Sequence, residues 1–244
     1  MNLLLLRGLM RSKRHWHKFP QILAGKGNVG NTLCIDLPGI GDNKEKAYPN
    51  TVKQAVSIMR EEFLAKKEGD IWGIVGVSLG GMIALSWQDQ YPKDFKKAFI
   101  INSSAANVGF AWERLKPQAL ATCLKSLKNP NAREREQAIL KMVSNQAWKE
   151  EEILSEWTEI AEQEGLSTKT ALRQILSAAT FTAPKKTKIP CLIISSTADN
   201  MVSWRSSQKL AKRLESSLIL HKSAGHDIAI DDPHWLAETI DRWI

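Results

Sequence analysis

The sequence predicts an α/β fold in which a mainly parallel sheet of about six strands is flanked by helices. Two observations carry this prediction. Short apolar runs rich in β-branched residues alternate along the chain with longer stretches of helical period. The runs are also too continuously apolar for strands with one face in water, so helices must cover both faces of the sheet. The runs are Asn2–Leu6, Thr32–Asp36, Ile71–Val77, Ala98–Ile101, Pro190–Ser195 and Leu218–His221.

The predicted helices lie between these strands, and one long segment contains helices alone. Thr51–Lys67 and Ser206–Leu214 each place apolar residues on one helical face. The segment 105–184 shows no convincing strand. Its four stretches of helical period are Ala111–Leu127, Ala132–Gln146, Glu150–Glu164 and Thr168–Ala179. Because this is far more helix than a crossover between two strands needs, we predict a core of residues 1–104 and 185–244 and an inserted helical cap of residues 105–184.

The composition is that of an ordinary globular protein. The 244 residues are 43% hydrophobic and 25% charged, with 34 Lys and Arg against 26 Asp and Glu, for a net charge of +8. This excludes disordered, collagen-like and coiled-coil chains. The apolar run Leu3–Leu6 ends at Arg7 and is too short for a signal-peptide core or a membrane span. A cytoplasmic protein without membrane contact is therefore expected.

Three further patterns argue against metal, nucleotide and nucleic-acid sites. The three cysteines, Cys34, Cys123 and Cys191, lack CxxC spacing and are predicted to be small buried hydrophobic residues. The segment Gly25–Gly30 matches the GxGxxG fingerprint of dinucleotide sites, but the helix-like stretch Trp16–Leu23 precedes it and the strand Thr32–Asp36 follows, which reverses the required order. Lysines and arginines are scattered without a nucleic-acid motif. We therefore expect no metal, no cofactor and no nucleic-acid partner.

The most informative segment joins a predicted strand to a predicted helix through Gly76, Ser78 and Gly80. It is Ile71-Trp-Gly-Ile-Val-Gly-Val-Ser-Leu-Gly-Gly-Met82. A serine on a sharp, strained turn needs neighbours without side chains, because the strand and helix backbones approach each other closely there. A strand before the pattern and a helix after it are the context that a nucleophile elbow requires.

With this segment the sequence resembles the α/β-hydrolase superfamily, in which a nucleophile, an acid and a histidine follow one another in that order along the chain. Asp199, at the end of a strand in Pro190–Val202, matches the acid, and His226 in Ala-Gly-His-Asp matches the histidine. The resemblance implies that Ser78 attacks an acyl carbon, His226 takes and returns its proton, and Asp199 orients the imidazole. Among the other histidines, His221 and His234 stay as alternatives, and the acidic residues near His226 are interpreted as loop and helix-cap residues: Asp227, Asp231 and Asp232.

The resemblance also implies an oxyanion hole made of backbone N–H groups. Leu79 follows the nucleophile, and Leu9 lies in the loop after the first strand. Gly8 of that loop matches the family pattern, whereas Arg7 replaces the usual histidine. Two interpretations of Arg7 stay open: a surface residue paired with a carboxylate, or a functional residue at the site. The segment Asp36–Gly41 resembles the family loop that shapes the rim of the site.

The substrate contacts are predicted less directly. Gly8 and Trp112 are predicted to contact substrate, with Trp148 and Trp157 of the cap as further candidates for the lining of an acyl pocket. Seven basic residues are candidates for attracting an acidic partner, although a solubilising surface explains them as well. These are Arg11, Lys13, Arg14, Lys18, Arg114, Lys116 and Lys125.

These residues predict a serine hydrolase, most simply a carboxylesterase that acts on a small or medium acyl ester. The layout resembles small carboxylesterases that release methyl esters from carrier-protein-bound acyl groups in biotin synthesis, so the substrate could itself be carrier-bound. Two alternatives stay open. One is a thioesterase or lyase with the same triad. The other is a non-catalytic binding protein on a hydrolase scaffold, suggested by Arg7 and by the absence of counterparts to the family's first two strands before Asn2.

Overall fold

Six parallel strands form one sheet at the centre of the computed structural model, which describes residues 1–165 and 167–244. Their order across the sheet is β2-β1-β3-β4-β5-β6, and every neighbouring pair is parallel. The strands are β1 (Asn2–Leu6), β2 (Thr32–Cys34), β3 (Trp72–Val77), β4 (Lys97–Ile101), β5 (Cys191–Ser196) and β6 (Ser217–His221). The predicted α/β fold with about six strands is confirmed.

Apolar side chains alternate along the strands and build a buried cluster on each face of the sheet. In β1, Leu4 and Leu6 belong to one cluster, whereas Leu3 and Leu5 belong to the other, as the two-residue period of a strand requires. The helices on the first face are α2 (Val52–Lys66), α3 (Leu79–Gln90) and α9 (Trp204–Leu214). Those on the second face are α1 (Phe19–Ala24), α10 (Ile228–Asp231) and α11 (Pro233–Trp243).

The chain between β4 and β5 forms helices and no strand in its described residues. These inserted helices are α4 (Ala111–Arg114), α5 (Pro117–Lys128), α6 (Ala132–Val143), α7 (Glu151–Glu164) and α8 (Thr168–Thr180). Helices α5, α6 and α7 share a third buried cluster that includes Cys123, Leu140 and Trp157. Met201 and Ile230 of the core complete this cluster, so it joins the inserted helices to the C-terminal ends of the strands.

The structure corrects two predicted helices. The stretch Ala111–Leu127 is two helices, because α4 ends at Arg114 and α5 begins at Pro117. Proline disfavours a helical conformation in the residue before it, and Lys116 is extended with ψ 140°. The helix-like stretch before β2 likewise starts only at Phe19, after a 3₁₀ turn over Lys13–Trp16.

Residues 1–165 and 167–244 contain neither a helix fit to span a membrane nor a side-chain cluster fit to hold a metal ion. No helix in that part of the chain is long and apolar enough to cross a membrane. No cluster of three or more His, Cys, Asp and Glu side chains there could hold a metal ion.

Candidate active site

Ser78 lies on the tight turn between β3 and α3, with φ 55° and ψ −114°. A positive φ is unusual for a residue with a side chain and stores strain at this point. The two flanking glycines are required by close backbone contacts. A Cβ atom on Gly76 would come within 2.2 Å of the Gly80 carbonyl oxygen, and one on Gly80 within 2.3 Å of the Leu6 carbonyl oxygen. The turn thus holds the serine side chain at the C-terminal edge of the sheet.

The Gly8–Leu9 backbone lies against this serine. A Cβ atom on Gly8 would come 3.2 Å from Ser78 Cβ, so a side chain there would crowd the nucleophile. In the described residues neither the Leu9 amide nor the Leu79 amide donates a hydrogen bond to a protein acceptor. Leu79 is the first residue of α3, whose amide has no acceptor within the helix. Within the described residues neither N–H group thus has a protein acceptor, as an oxyanion hole requires.

Asp199 and His226 form a buried pair beside this turn. His226 Nδ1 lies 2.7 Å from Asp199 Oδ2. The other carboxylate oxygen, Oδ1, accepts hydrogen bonds from the amides of Met201 at 2.7 Å and Val202 at 2.9 Å. The two backbone donors fix the carboxylate, and the carboxylate in turn fixes the imidazole.

The environment of His226 favours its charged form. Burial lowers the pKa of His226, but the charge and hydrogen bond of Asp199 raise it more, and Asp227 adds to this effect. Arg7 acts in the opposite direction. The net result is a His226 pKa above its ordinary value, which makes the ring a stronger base.

Ser78 and His226 line the same cavity, but no hydrogen bond joins them in the described part of the chain. Such bonds are often long before substrate binds. The alternative histidines lie elsewhere. The His221 ring contacts Asp232 at 3.2 Å and accepts the Ala224 amide, and His234 is exposed at the start of α11. Neither lines the cavity.

Two residues hold the His226 loop: Asn102, which sequence reasoning missed, and Asp231, which it interpreted as a loop or helix-cap residue. Asn102, just after β4, donates from Nδ2 to the His226 carbonyl at 2.7 Å and accepts the Ser196 amide at 2.8 Å. Asp231 accepts the Gly225 amide at 2.6 Å. The position of Asn102 after a buried strand was the only local signal available, because its partners lie far away in the sequence.

Arg7 is buried and forms two hydrogen bonds with Asp227, the residue after His226. Its Nη1 lies 3.1 Å from Asp227 Oδ1, and its Nη2 bonds to Oδ2. The guanidinium also stacks on Trp16, with Cζ 4.7 Å from the ring centroid. Arg7 thus does pair with a carboxylate, but inside the protein. Asp227 precedes α10 as expected of a cap residue, yet its side chain links the histidine loop to the Gly8–Leu9 loop.

We expect Asp227→Asn to lower the free energy of unfolding by about 3–5 kcal/mol, because it leaves the Arg7 charge buried without a partner. Urea unfolding measures this difference. The exposed pair of Lys18 and Glu152 provides the control, since solvent screens this pair and Glu152→Gln should change the free energy of unfolding far less. If the free energy of unfolding falls equally little in both variants, the buried pair contributes no more to stability than a surface ion pair.

The cavity beside Ser78 has a volume of about 310 Å³, near the lower limit for small-molecule sites. Trp157 lines it and is fully buried. Trp112 does not line the cavity. Its side chain is 64% exposed and stacks on Phe110, with ring centroids 4.8 Å apart. Trp148 lies outside the cavity as well. The expected substrate contact of Trp112 is therefore not found at this cavity. The apolar lining is formed by Leu9, Met10, Ile40, Val77, Cys123, Leu127, Ile139, Met142, Val143, Trp157, Ile160, Ala161 and Met201.

The basic side chains of the segment after β1, Lys13, Arg14 and Lys18, lie close to acidic side chains of the same chain. Lys13 pairs with Asp42 at 2.5 Å, and Lys18 pairs with Glu152 at 3.0 Å. Arg14 lies 3.8 Å from a carboxylate oxygen of α7. These partners reduce the positive charge that this segment presents to another molecule.

Comparison with known proteins relates this architecture to hydrolases. A family model described as "Alpha/beta hydrolase family" matches residues 3–239. Among solved structures, a lipase-esterase related protein from Clostridium acetobutylicum superposes with a TM-score of 0.78 at 16% identity, over 100% of this chain and 94% of that chain. Carboxylesterase CesB from Bacillus subtilis superposes with a TM-score of 0.72 at 14% identity, over 98% of this chain and 81% of that chain. At such identities the superpositions show a shared fold.

One curated protein shares sequence over a shorter region. The biotin biosynthesis bifunctional protein BioHC from Teredinibacter turnerae is 30% identical over 103 residues. The matched region is 41% of this chain and only 16% of that protein.

Proposed function

The chain belongs to the α/β hydrolase family, and on this premise we propose that it hydrolyses carboxylic esters of small or medium acyl groups through an acyl-enzyme on Ser78. One observation carries the proposal. The strained serine turn opens into the same cavity as His226, whose ring is held by a buried carboxylate at 2.7 Å. This is the arrangement that activates a serine hydroxyl for attack on an acyl carbon.

Each step of the proposed reaction uses a group described above. Ser78 Oγ attacks the ester carbonyl while His226 Nε2 takes the hydroxyl proton. The carbonyl oxygen gains a negative charge and accepts hydrogen bonds from the amides of Leu9 and Leu79. The tetrahedral intermediate then breaks the bond to the alcohol, which leaves with the proton from His226. Water repeats the same steps on the acyl-enzyme and releases the acid.

Asp199 acts through His226. Its bond to Nδ1 keeps the proton on that nitrogen, so Nε2 is free to accept the proton of Ser78. Gly8 supports the reaction by leaving space beside the nucleophile. No reaction step is assigned to a metal or a cofactor.

A carrier-bound acyl ester is a narrower proposal for the substrate. The shared sequence with a biotin biosynthesis protein supports it over 103 residues. The internal ion pairs of Lys13, Lys18 and Arg14 weaken it, because an acidic carrier would compete with them. Turnover of a carrier-bound ester should fall as salt is added if charge attracts the carrier. Turnover that does not change with salt concentration would show that charge does not attract the carrier.

We expect one fluorophosphonate molecule to label the wild-type protein, at Ser78. This probe forms a covalent bond only with an activated serine. Intact-mass analysis measures the number of adducts, and peptide mapping measures their position. Protein unfolded in urea is the control and should not react. An unlabelled folded protein would contradict the proposal and favour a binding protein on the same scaffold.

The alternative activities are distinguished by the bond that the protein cleaves. The same triad supports thioesterase or lyase chemistry, so an oxyester and a thioester of one acyl group should be compared. Hydrolysis of the oxyester at a higher kcat/KM supports the carboxylesterase. Exclusive cleavage of the thioester would replace it with a thioesterase.

A further inference from the structure

We propose that the substrate carries a second, anionic group besides the ester, and that Arg11 and Trp157 bind this group inside the cavity. The inference rests on the proposed ester hydrolysis and adds the chemical class of the acyl chain: a half-ester of a dicarboxylic acid or a close equivalent. It is carried by a buried polar cluster formed by Arg11, His15, Arg135, Glu136 and Trp157, which we call the Arg11 cluster. All five residues line the cavity that contains Ser78.

The Arg11 cluster is built from two parts of the fold. Arg11 and His15 lie after β1, whereas Glu136 belongs to α6 and Trp157 to α7. Arg11 Nη1 lies 2.6 Å from Glu136 Oε2 and 2.9 Å from His15 Nε2. The Arg11 guanidinium stacks on Trp157, with Cζ 4.5 Å from the ring centroid. These contacts hold the guanidinium in one orientation before any ligand binds.

The charges of the cluster do not balance. Arg11 and Arg135 both approach the single carboxylate of Glu136, at 2.6 and 3.5 Å. Their side chains expose only 10% and 11% of their surface. Burial, together with the charges of Arg11 and Arg7, lowers the pKa of His15 well below its ordinary value, so its ring is neutral. One positive charge is therefore left over in a region largely closed to water, which is unfavourable unless an anion joins it.

The other charged groups of the cavity do not supply that anion. Asp227 is engaged by Arg7 through two hydrogen bonds. Glu164 accepts a hydrogen bond from Ser12 Oγ at 3.0 Å, and burial raises its pKa, which disfavours its charged form. Lys44 and Glu45 also line the cavity, but both are exposed and their opposite charges offset each other.

Two hydrogen-bond donors of the cluster also lack a protein acceptor. Arg11 Nη2 and Trp157 Nε1 are buried, and neither has a partner in the described residues. Buried donors are rarely left without an acceptor, because each such group costs free energy. A carboxylate offers two oxygens to these donors, and a guanidinium binds it with good geometry. The apolar cavity wall described above suits the aliphatic chain between the two ends of such a substrate.

A purely structural role for Arg11 makes a different prediction. Its bond to Glu136 joins the loop after β1 to α6 and could serve only to hold the inserted helices in place. In that case, replacing Arg11 would affect all esters alike. A binding role instead makes the effect depend on the charge of the substrate.

The test compares methyl hexanoate with monomethyl adipate, which differ only in a terminal carboxylate. We expect the wild-type protein to prefer monomethyl adipate in kcat/KM, through a lower KM. Arg11→Met should lower this preference about tenfold or more, the effect of one hydrogen bond to a charged group. Arg133→Met is the matched control, since Arg133 is an exposed residue of α6 paired with Glu151, and it should leave the preference unchanged.

Two further variants keep the test decisive if Arg11→Met does not fold. Trp157→Phe removes the Nε1 donor and keeps an aromatic ring, so the preference for monomethyl adipate should fall severalfold. Glu136→Gln removes the carboxylate that competes for Arg11, and the KM for monomethyl adipate should decrease. Circular dichroism and urea unfolding check that each variant is folded.

The possible outcomes separate the inference from the proposed function. Equal turnover of the two esters by the wild-type protein, or equal losses on both in Arg11→Met, would overturn the anionic subsite and leave the esterase in place. Turnover of neither ester, together with no fluorophosphonate adduct, would overturn the proposed function itself.

Discussion

Ser78→Ala is expected to lower kcat for ester hydrolysis by about 10⁶-fold, the size of effect seen when the serine of such a triad is removed. Without Oγ there is no nucleophile to form the acyl-enzyme, whereas the amides of Leu9 and Leu79 stay in place. The small remaining rate comes from those amides and from substrate binding. The fold should be preserved, because alanine has the same Cβ and meets the same strain at φ 55°.

Initial rates at saturating ester measure this loss, and urea unfolding checks the stability of the variant. Ser103→Ala provides a nearby serine control. Its Oγ donates to the Ser78 carbonyl at 2.8 Å and so supports the turn without supplying a nucleophile. Loss of one such hydrogen bond, worth about 1 kcal/mol, should lower activity by less than about tenfold. A Ser78→Ala protein with more than a hundredth of the normal kcat would show that another group is the nucleophile.

Asp199→Asn is expected to lower kcat by about 10⁴-fold, because the hydrogen bonds around this residue force the wrong tautomer on His226. The amides of Met201 and Val202 both donate to Oδ1. An asparagine must therefore keep its carbonyl oxygen at this position and turn its NH₂ group towards His226 Nδ1. Nδ1 then becomes an acceptor, the proton moves to Nε2, and His226 can no longer accept the proton of Ser78.

The pH dependence of kcat/KM adds an independent measurement with a defined sign. Hydrolysis requires neutral His226, so in the wild-type protein kcat/KM should rise with pH through a pKa above the ordinary histidine value. Removing the Asp199 charge removes a main cause of the raised pKa. The acidic limb of the profile should therefore move to lower pH in Asp199→Asn. Asp89→Asn, at an exposed pair with Lys188, is the control and should change neither kcat nor the limb. If Asp199→Asn leaves the acidic limb of the kcat/KM profile in place and lowers kcat by less than tenfold, Asp199 is excluded as the partner of His226.

The strands and the serine turn could be predicted from the sequence because both depend on neighbouring residues. A buried strand is marked by continuous apolar residues, and β1 and β3 were recognisable in this way. The glycines around Ser78 are likewise local requirements, since the backbone contacts at Gly76 and Gly80 arise within one turn and the strand beside it. The pairing of Asp199 with His226 was implied by the resemblance to the α/β-hydrolase superfamily, and their 2.7 Å contact agrees with it.

The partners of Arg7 and Arg11 could not be predicted in this way. Arg7 bonds to Asp227 across 220 positions, and Arg11 bonds to Glu136 across 125. Nothing in the local pattern distinguishes these arginines from solvated surface residues, because burial depends on which helices cover them. The position of Trp112 outside the cavity could not be predicted for the same reason, since an amphipathic stretch does not reveal how its helix is rotated against the sheet.

The sequence by itself thus determined the α/β sheet, the strained serine turn and the order of the three residues proposed for the reaction. The sheet and the turn are signalled by short-range periodicity and backbone sterics, which a single segment contains in full. The order of the three residues followed from the resemblance to the α/β-hydrolase superfamily. Only the tertiary structure decided that Trp157 lines the cavity, that Asn102 and Asp231 hold the His226 loop, and that Arg11 stands buried beside Glu136. These features depend on distant segments meeting in space, where burial turns an ordinary polar side chain into one that requires a partner.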